Sequence, residues 1–502
     1  MSLAYLKSGT DIRGTALGEN CDLNDAVVQK IALGFLHVLH EKTGLQPNEM
    51  SLYIGRDSRL SGERILNALC SVFIKYGVNV TDCGLCSTPA MFMTTVKKGC
   101  TAAVQITASH HPSDKNGLKF FTRAGGFEGS DIAAVLSAAE QKPAFAECEG
   151  RVQTLDFMTE YAADLREKIK QGVGAKDYEH PLAGFHIVVD AGNGVGGFYA
   201  NDVLSPLGAD VSGSEFLEPD GHFPNHVPNP ENPDAMGFIS RSVLRNKADF
   251  GIIFDTDVDR AACVDADGRE INRNRLVALA SAIALENEPG ATVVTDSVTS
   301  DGLKAFVQQH LGGVHHRFRR GYKNVINEAL RLNAQGVNCP LAIETSGHAA
   351  LRENYFLDDG AYLITKILIL LAKKRKEGKP LSSVIEALQE PVEEKELRFK
   401  ILQEDFRPCG EDVIAKLETW ASGLPFATPA DDNREGFRVS FDEDHGAGWL
   451  LLRLSVHDPI LPLNIESDKQ GGCRQIATLL FDFLKDFKDI DISALKDYIS
   501  SL

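Results

Sequence analysis

Short apolar runs alternate with amphipathic segments along most of the chain, and each run stops at a polar or glycine-rich stretch. The strand-like runs cover residues 52–54, 103–106, 186–189, 251–254 and 291–294. Between them, apolar residues recur with helical spacing, as in residues 25–39, 156–169 and 277–284. This alternation predicts βαβ units and an α/β fold with mixed, mostly parallel sheets. Because such sheets bind ligands beyond the carboxyl ends of their strands, we expect the polar loops to converge on one cleft.

The chain has 502 residues, which is too long for one ordinary hydrophobic core and predicts three or four domains. We expect three α/β domains at residues 1–170, 171–270 and 271–385, with a linker at residues 171–177. A C-terminal α+β domain at residues 386–502 follows a charged junction. Its predicted elements are antiparallel strands at residues 436–441 and 449–454 and a closing helix at residues 475–487.

A polar turn that contains Ser109 follows the run at residues 103–106. A serine hydroxyl is a poor nucleophile unless a base, a cation or an attached phosphate changes its character. His110 is adjacent, and Lys119 lies ten positions on, across a turn that could return it to Ser109. The pattern predicts an activated serine, and the alternative is a surface turn that collects these residues for conformational reasons.

Three carboxylates at alternate positions, Asp255, Asp257 and Asp259, follow the apolar run at residues 251–254. Neighbouring carboxylates at this density favour a hard divalent cation, Mg²⁺ before Ca²⁺. A calcium loop of the EF-hand type would need Gly and Glu where this chain has Arg260 and Ala266, so that interpretation fails. Arg260 favours a phosphoryl group beside the metal, because a guanidinium binds phosphate bidentately. A solvated acidic loop is the alternative.

A third polar cluster, at residues 344–348, follows another apolar segment. Glu344, Ser346 and His348 offer a carboxylate, a hydroxyl and an imidazole, which can bracket neighbouring sugar hydroxyls by paired hydrogen bonds. A helix N-cap at Ser346 explains the same residues nearly as well.

The order of these segments and their amino-acid sequences resemble the motifs of the α-D-phosphohexomutase superfamily, in particular of its phosphomannomutase/phosphoglucomutase branch. The resemblance spans essentially the whole chain. Besides the serine loop, the aspartate loop and the cluster at residues 344–348, it includes the motifs at residues 10–14, 55–61, 190–194 and 220–230. It implies four domains around a central cleft, the last one mobile.

The resemblance also implies a reaction and a set of roles. A phosphoryl group on Ser109 passes to a hexose 1- or 6-phosphate, and the resulting hexose 1,6-bisphosphate turns round and returns its other phosphate. Ser109 and the three aspartates would hold Mg²⁺. The resemblance assigns proton transfer to His110 and Lys119, and charge neutralisation to Arg13 and Arg260. It assigns sugar binding to Glu344, Ser346 and His348.

The C-terminal phosphate-binding loop departs from the family pattern, which usually reads Arg-Pro-Ser-Gly-Thr-Glu-Pro. Here residues 453–459 read Arg-Leu-Ser-Val-His-Asp-Pro. Val456 replaces a glycine whose freedom at positive φ helps to form an anion-binding nest. We expect the distal phosphate to be held by Arg453, Ser455 and a protonated His457, with further positive charge from Arg320 and Lys323.

Three alternative functions stay open. A phosphoglucosamine mutase is the nearest, because the residues 344–348 pattern does not separate mannose, glucose and glucosamine phosphates. A non-catalytic phosphosugar-binding relative would explain the altered loop at residues 453–459. A haloacid-dehalogenase-like phosphatase would use Asp255 as its nucleophile and Asp358-Asp359 as its later acidic pair, but it leaves the serine loop unexplained.

Composition narrows the class of protein further. A net charge of −18 argues against nucleic acid or an anionic membrane surface as the main partner, so a small hexose phosphate must be bound in a local basic cleft. Ten scattered cysteines and the absence of a long apolar N-terminal segment indicate a reducing, cytoplasmic setting. The apolar stretch at residues 361–372 is too short to span a bilayer and predicts a core helix. The oligomeric state stays open.

Overall fold

The computed structural model describes residues 2–455 and 458–501. The chain divides into two compact units. The first comprises Met1–Ile283 and Ser346–Val384, and the second comprises Ala284–Thr345 and Ile385–Leu502.

The regular elements are numbered in chain order. The strands are β1 Lys7–Ser8, β2 Asp11–Thr15, β3 Ser51–Arg56, β4 Asn79–Leu85, β5 Ala102–Ile106, β6 Lys115–Thr122, β7 Gly125–Gly126, β8 Arg151–Thr154, β9 Ile187–Asp190, β10 Phe250–Phe254, β11 Ala261–Asp265, β12 Glu270–Ile271, β13 Thr292–Thr295, β14 Val314–Arg317, β15 Leu341–Ile343, β16 Ala349–Leu351, β17 Leu357–Asp358, β18 Glu393–Ile401, β19 Ala427–Pro429, β20 Phe437–Phe441, β21 Gly448–Leu452, β22 Ile460–Ser467 and β23 Ile490–Asp491. The helices are α1 Asp25–Thr43, α2 Gly62–Lys75, α3 Thr88–Lys97, α4 Gly129–Gln141, α5 Phe157–Val173, α6 Pro233–Asn246, α7 Arg273–Leu285, α8 Asp301–Ala305, α9 Tyr322–Ala334, α10 Gly360–Lys376, α11 Phe406–Ser422, α12 Gly472–Leu484 and α13 Ser493–Ser500.

The largest sheet of the first unit has the order β1-β2-β6-β5-β3-β4-β8, with β7 paired to β6. Strands β5, β3, β4 and β8 run parallel to one another. Strand β6 pairs antiparallel with both β5 and β2, and β1 pairs antiparallel with β2. Helix α1 packs against α2 and α4 and buries Ile31, Phe35 and Leu39 on one face. It begins where the Asn24 side chain accepts a hydrogen bond from Val27 N, and it ends at Gly44 in the left-handed conformation.

A second sheet of the same unit has the order β12-β11-β10-β9. Its central strand β10 is buried along its whole length, pairs parallel with β9 and pairs antiparallel with β11. The β16–β17 hairpin also belongs to this unit, and α5 packs against α10. The loops after β5 and after β10, which carry Ser109 and the three aspartates, are therefore both hairpin connections between antiparallel strands.

The second unit contains parallel strands β14-β13-β15 and a separate antiparallel sheet of order β19-β20-β21-β22-β18-β23. Helix α9 packs on β13 and β15, whereas α12 packs on β18, β21 and β22. The apolar interior of the antiparallel sheet includes Phe399, Leu450, Leu463, Ile476 and Leu480, all of them buried.

The predicted α/β architecture with mixed sheets and a C-terminal α+β part is confirmed, and the differences lie at element ends. The predicted linker at residues 171–177 begins as helix, because α5 continues to Val173 and stops at left-handed Gly174. The predicted strand at residues 449–454 ends at Leu452, because its partner β20 begins only after Gly436, whose φ is +60°. The predicted helix at residues 475–487 is shifted to Gly472–Leu484.

The apolar stretch at residues 361–372 lies within α10, and most of its side chains are buried. Across the described part of the chain, no helix combines the length and the apolar character that crossing a membrane requires. All ten cysteines are unpaired thiols, and burial raises the pKa of Cys83 to about 12.

Candidate functional site

Ser109 lies in the hairpin connection between β5 and β6 and is 2% exposed. Its backbone has a φ of +51°, which a residue with a side chain adopts only under local constraint. The Oγ atom donates a hydrogen bond to Asp255 Oδ2 at 2.7 Å and accepts one from Arg260 Nη2 at 3.1 Å. The structure therefore brings the serine loop and the aspartate loop, 146 residues apart in the chain, into direct contact.

The carboxylates of Asp255, Asp257 and Asp259 each offer an oxygen that lies within 4.8 Å of the other two. All three residues are buried, and Val258 between them has a φ of +66°. The Oδ1 atoms of Asp257 and Asp259 accept no hydrogen bond from any residue that the structure describes. Clustered carboxylate oxygens with unused lone pairs fit a hard divalent cation such as Mg²⁺, so this triad could hold a metal ion.

Positive side chains surround the triad unevenly. Lys119 Nζ lies 2.5 Å from Asp259 Oδ2 and 3.7 Å from Asp257 Oδ2, and Arg260 contacts Asp255 at 3.2 Å. Burial and the two neighbouring carboxylates raise the pKa of Asp255 well above its ordinary value. Burial would also raise the pKa of Asp259, but the Lys119 ammonium, aided by His348 and Arg260, holds it below its ordinary value.

Two histidines face the reacting groups in different charge states. His110 Nδ1 lies 3.3 Å from Ser109 Oγ, and burial together with the Arg260 guanidinium lowers the pKa of His110 far below its ordinary value. His348 Nδ1 lies 2.5 Å from Asp358 Oδ2 and 3.9 Å from Asp259 Oδ1. Burial would lower the pKa of His348, but these carboxylates raise it to about 9. At neutral pH His110 is therefore neutral and His348 is charged.

The loop before β16 joins this site through backbone contacts. Arg260 of the aspartate loop and His348 of this loop form an antiparallel bridge. Gly347, which precedes His348, has a φ of +95°. A Cβ atom at position 347 would lie 2.7 Å from Ala261 O. Glycine at this position therefore allows the two loops to approach closely. Ser346, one residue before it, is buried in the same unit.

Arg13 lies on β2, where Nη2 forms an ion pair with Asp11 Oδ2 at 2.8 Å. Its positive charge contributes to the low pKa values of both His110 and His111, although burial is the larger cause in each case. The pKa of His111 falls to about 3. The first unit therefore contains Arg13 together with the serine, histidine, lysine and aspartate residues predicted from the sequence.

The other predicted substrate residues belong to the second unit. Glu344 Oε1 accepts a hydrogen bond from Gly321 N at 2.5 Å, and Lys323 lies in the first turn of α9. Arg320 donates its backbone N–H to Glu435 Oε2 at 3.1 Å, and Arg453 Nη1 lies 3.9 Å from Glu435 Oε1. Glu435 thus lies against both arginines.

The altered loop follows β21. Ser455 Oγ accepts a hydrogen bond from Asp458 N at 3.3 Å, and Ser455 N donates to Ile460 O at 3.0 Å. His457, which we predicted to bind phosphate, lies outside the described residues.

Sequence reasoning did not identify Thr88, which contacts the metal-type triad directly. Its Oγ1 donates a hydrogen bond to Asp257 Oδ2 at 2.5 Å, and its backbone N–H donates to Asp257 O at 2.9 Å. Thr88 is the first residue of α3, where a Ser-Thr-Pro sequence looks like an ordinary helix start. Only the three-dimensional contact separates it from the other threonines of that helix.

Family models match three successive parts of the chain. They are described as phosphoglucomutase/phosphomannomutase alpha/beta/alpha domains I, II and III, and they match residues 6–145, 159–268 and 272–392.

Individual relatives are similar over most of their length. A phosphomannomutase/phosphoglucomutase from Pseudomonas putida is 29% identical over 433 residues, which is 86% of this chain and 87% of the relative. A phosphoglucosamine mutase from Pelotomaculum thermopropionicum is 29% identical over 95% of this chain and 98% of the relative. A crystal structure of a phosphoglucomutase/phosphomannomutase family protein from Burkholderia thailandensis superposes with a TM-score of 0.79 at 26% identity, covering 97% of this chain and 98% of that one.

Proposed function

The chain belongs to the phosphoglucomutase/phosphomannomutase family of isomerases, and from this premise we propose that it moves a phosphoryl group between the 1- and 6-positions of mannose and glucose phosphates. The observation that carries the proposal is the contact of Ser109 Oγ with both Asp255 and Arg260. A hydroxyl between a carboxylate cluster and a guanidinium suits phosphoryl transfer, which demands mainly positioning and charge neutralisation. Family membership removes the haloacid-dehalogenase-like alternative.

The proposed cycle starts with a phosphoryl group on Ser109. A hydroxyl of the hexose monophosphate attacks that phosphorus and gives up its proton, while the bond to Ser109 Oγ breaks and this oxygen takes up a proton. A hexose 1,6-bisphosphate forms. After the bisphosphate turns round, Ser109 Oγ attacks its other phosphorus and gives up its proton, while the bond from that phosphorus to the sugar oxygen breaks and the sugar oxygen takes up a proton. The hexose 1,6-bisphosphate is thus an intermediate and also an activator for an unphosphorylated chain.

The residues around Ser109 divide the remaining tasks. His110 Nδ1 lies 3.3 Å from the serine oxygen, so its position suits a part in proton transfer at the reacting hydroxyl. Lys119 is the second proton-transfer candidate, because its Nζ is buried among the aspartates. Arg260 and Arg13 would neutralise the charge that develops on the phosphoryl oxygens.

Asp255, Asp257 and Asp259, together with the phosphoryl group on Ser109, would hold Mg²⁺. The cation would supply electrostatic stabilisation of phosphoryl oxygens. Thr88 supports this arrangement by orienting the Asp257 carboxylate.

The substrate's other groups would be bound by residues predicted from the sequence. We propose Glu344, Ser346 and His348 for the sugar hydroxyls. The proposed ligands of the distal phosphate are Arg320, Lys323, Arg453, Ser455 and His457.

A substrate panel with Ser109→Ala as the test variant examines the proposal. With Mg²⁺ and a hexose 1,6-bisphosphate primer, we expect the wild-type chain to convert mannose 1-phosphate and glucose 1-phosphate to the 6-phosphates. Ser109→Ala should lower kcat by roughly 10⁴-fold or more, because it removes the attacking atom. Ser113→Ala, in the same loop, is the matched control and should retain activity.

A phosphoglucosamine mutase is the second candidate, and the Pelotomaculum relative favours it because that similarity covers 95% of this chain. Turnover of glucosamine 6-phosphate alone in the same panel would replace the proposed substrates by this one. Binding of hexose phosphates without Ser109-dependent turnover would instead indicate a non-catalytic relative.

A further inference from the structure

We propose that Asp57 and Arg59 are positioning residues that hold Ser109 in its reactive geometry. The inference rests on the proposed function in one respect, namely that Ser109 is the group that carries the phosphoryl. Neither Asp57 nor Arg59 contacts the Ser109 hydroxyl through any hydrogen bond of the described residues. Their contacts are to the backbone of the serine loop.

The Arg59 guanidinium binds four backbone carbonyl groups of this loop. Its side chain is fully buried. Nη2 donates to the carbonyls of Ser109 at 2.5 Å and His111 at 2.6 Å, and Nη1 donates to those of Pro112 at 2.6 Å and Lys115 at 2.8 Å. Because each terminal nitrogen carries two hydrogens, these four contacts use every donor of the two terminal nitrogens on one loop.

Asp57 is linked to the backbone N–H of Ser109 through the Thr107 hydroxyl. Its Oδ2 accepts a hydrogen bond from Thr107 Oγ1 at 2.7 Å, and Thr107 Oγ1 in turn accepts one from Ser109 N at 2.8 Å. Asp57 Oδ2 also lies 3.2 Å from Arg59 Nε, and Asp57 Oδ1 accepts from Arg59 N at 2.9 Å. The N–H and the C=O of Ser109 are therefore both linked to one buried ion pair.

These hydrogen bonds hold Ser109 in a backbone conformation that is unfavourable for a residue with a side chain. Ser109 has a φ of +51°, a conformation that persists in a residue with a side chain only when its surroundings impose it. The same conformation directs Oγ to Asp255 at 2.7 Å. Because phosphoryl transfer requires in-line positioning, a shift of this loop by about 1 Å is enough to lower the rate by roughly 10²-fold.

Arg59→Lys tests the proposal, because lysine keeps the charge but has three tetrahedral donors that cannot match four carbonyls in a planar fork. We expect backbone amide hydrogen exchange in a peptide covering residues 107–117 to become faster. We also expect kcat to fall by roughly 10²-fold while KM for glucose 1-phosphate stays within about threefold.

Arg64→Lys is the matched control. Arg64 also binds two backbone carbonyls, those of Ala16 and Leu23 at 2.9 Å each, and pairs with Asp25, but it contacts a different loop. This variant should leave both the exchange of residues 107–117 and kcat unchanged. Equal acceleration of that exchange in the two lysine variants would overturn the proposal, and so would unchanged exchange in Arg59→Lys.

Thr107→Val provides the second test if Arg59→Lys does not fold. It removes the hydroxyl that connects Asp57 to Ser109 N but leaves the ion pair intact, so it should reproduce faster exchange and lower kcat at normal KM. Hydrogen exchange is measured on the substrate-free protein. An inactive wild-type chain would therefore contradict the proposed function alone, whereas the exchange result decides the positioning role in either case.

Discussion

Chemically identical side chains have opposite charge preferences in the aspartate loop. Burial and two neighbouring carboxylates raise the pKa of Asp255, whereas contact with the Lys119 ammonium holds the pKa of Asp259 below its ordinary value. The same contrast separates neutral His110 from charged His348. Burial acts on all four groups, and the charges around each group either reinforce or reverse the resulting shift of its pKa.

Replacing Lys119 by methionine tests this dependence. Removal of the ammonium takes away the main attraction that holds the pKa of Asp259 low, so that pKa should rise. The loss of a cation from the reacting centre should lower kcat by roughly 10³-fold. Steady-state kinetics on glucose 1-phosphate provides the measurement.

Lys115→Met removes a charge from the same hairpin and is the control for Lys119→Met. Lys115 lies at the start of β6, and its ammonium helps to lower the pKa values of His111 and Asp22, which lie outside the triad. A Lys119→Met enzyme no slower than Lys115→Met would contradict the assigned role.

At the level of elements, two hairpin connections and one helix start meet at the triad. The β5–β6 connection supplies Ser109, the β10–β11 connection supplies the aspartates, and the first residue of α3 supplies Thr88. Short connections between paired strands leave little freedom to the side chains they carry. The helix start adds a hydroxyl and a backbone N–H, and both bind Asp257.

Thr88→Val should weaken Mg²⁺ binding. The substitution keeps the shape of the side chain but removes the hydroxyl that orients Asp257, and loss of such a supporting hydrogen bond typically lowers metal affinity by about 10–100-fold. Calorimetric titration with Mg²⁺ measures the change. Thr95→Val is the control, because Thr95 Oγ1 donates only within α3, to Phe92 O.

At the scale of the whole molecule, the two compact units differ in their content of tryptophan, the main intrinsic fluorophore of proteins. Both tryptophans, Trp420 and Trp449, belong to the second unit. Trp449 Nε1 donates a hydrogen bond to the buried carboxylate of Glu466 at 3.0 Å. Tryptophan fluorescence therefore reports the unfolding of the second unit and senses the environment of Glu466.

Glu466 should make the second unit less stable as pH rises from about 4.5 to about 8. Burial raises the pKa of this carboxyl from its ordinary 4.5 to about 8, so in this window the folded chain keeps a proton that the unfolded chain has lost. Stability falls with rising pH wherever the folded state binds more protons. The midpoint of thermal unfolding, followed by tryptophan fluorescence, should decrease across this window.

Glu466→Gln should flatten that decrease, because glutamine does not ionise and its oxygen can still accept the bond from Trp449. Glu418→Gln, on the exposed face of α11, is the control. The same slope in wild type and in Glu466→Gln would show that another group causes the pH dependence.

The strands and the polar loops that follow them could be predicted from the sequence, because short hydrophobic runs and turn residues reflect local structure. Polar loops at strand ends predicted that the serine and aspartate loops converge, and the family resemblance implied that Ser109 and the aspartates meet. The roles of Arg59 and Thr88 could not be read in the same way. Arg59 binds backbone carbonyls, which leave no trace in side-chain identity, and Thr88 belongs to a sequence typical of any helix start. Element ends such as Gly174 depend on single backbone conformations that periodicity does not resolve.

Gly347 limits how this lineage can diverge. The place of its missing Cβ is taken by Ala261 O, a backbone atom that no substitution at position 261 removes. A larger residue at 347 would therefore require displacement of β11 and, with it, of the adjoining Arg260. Neutral drift can alter the surrounding sequence, but glycine has to persist at this one position unless both loops change together.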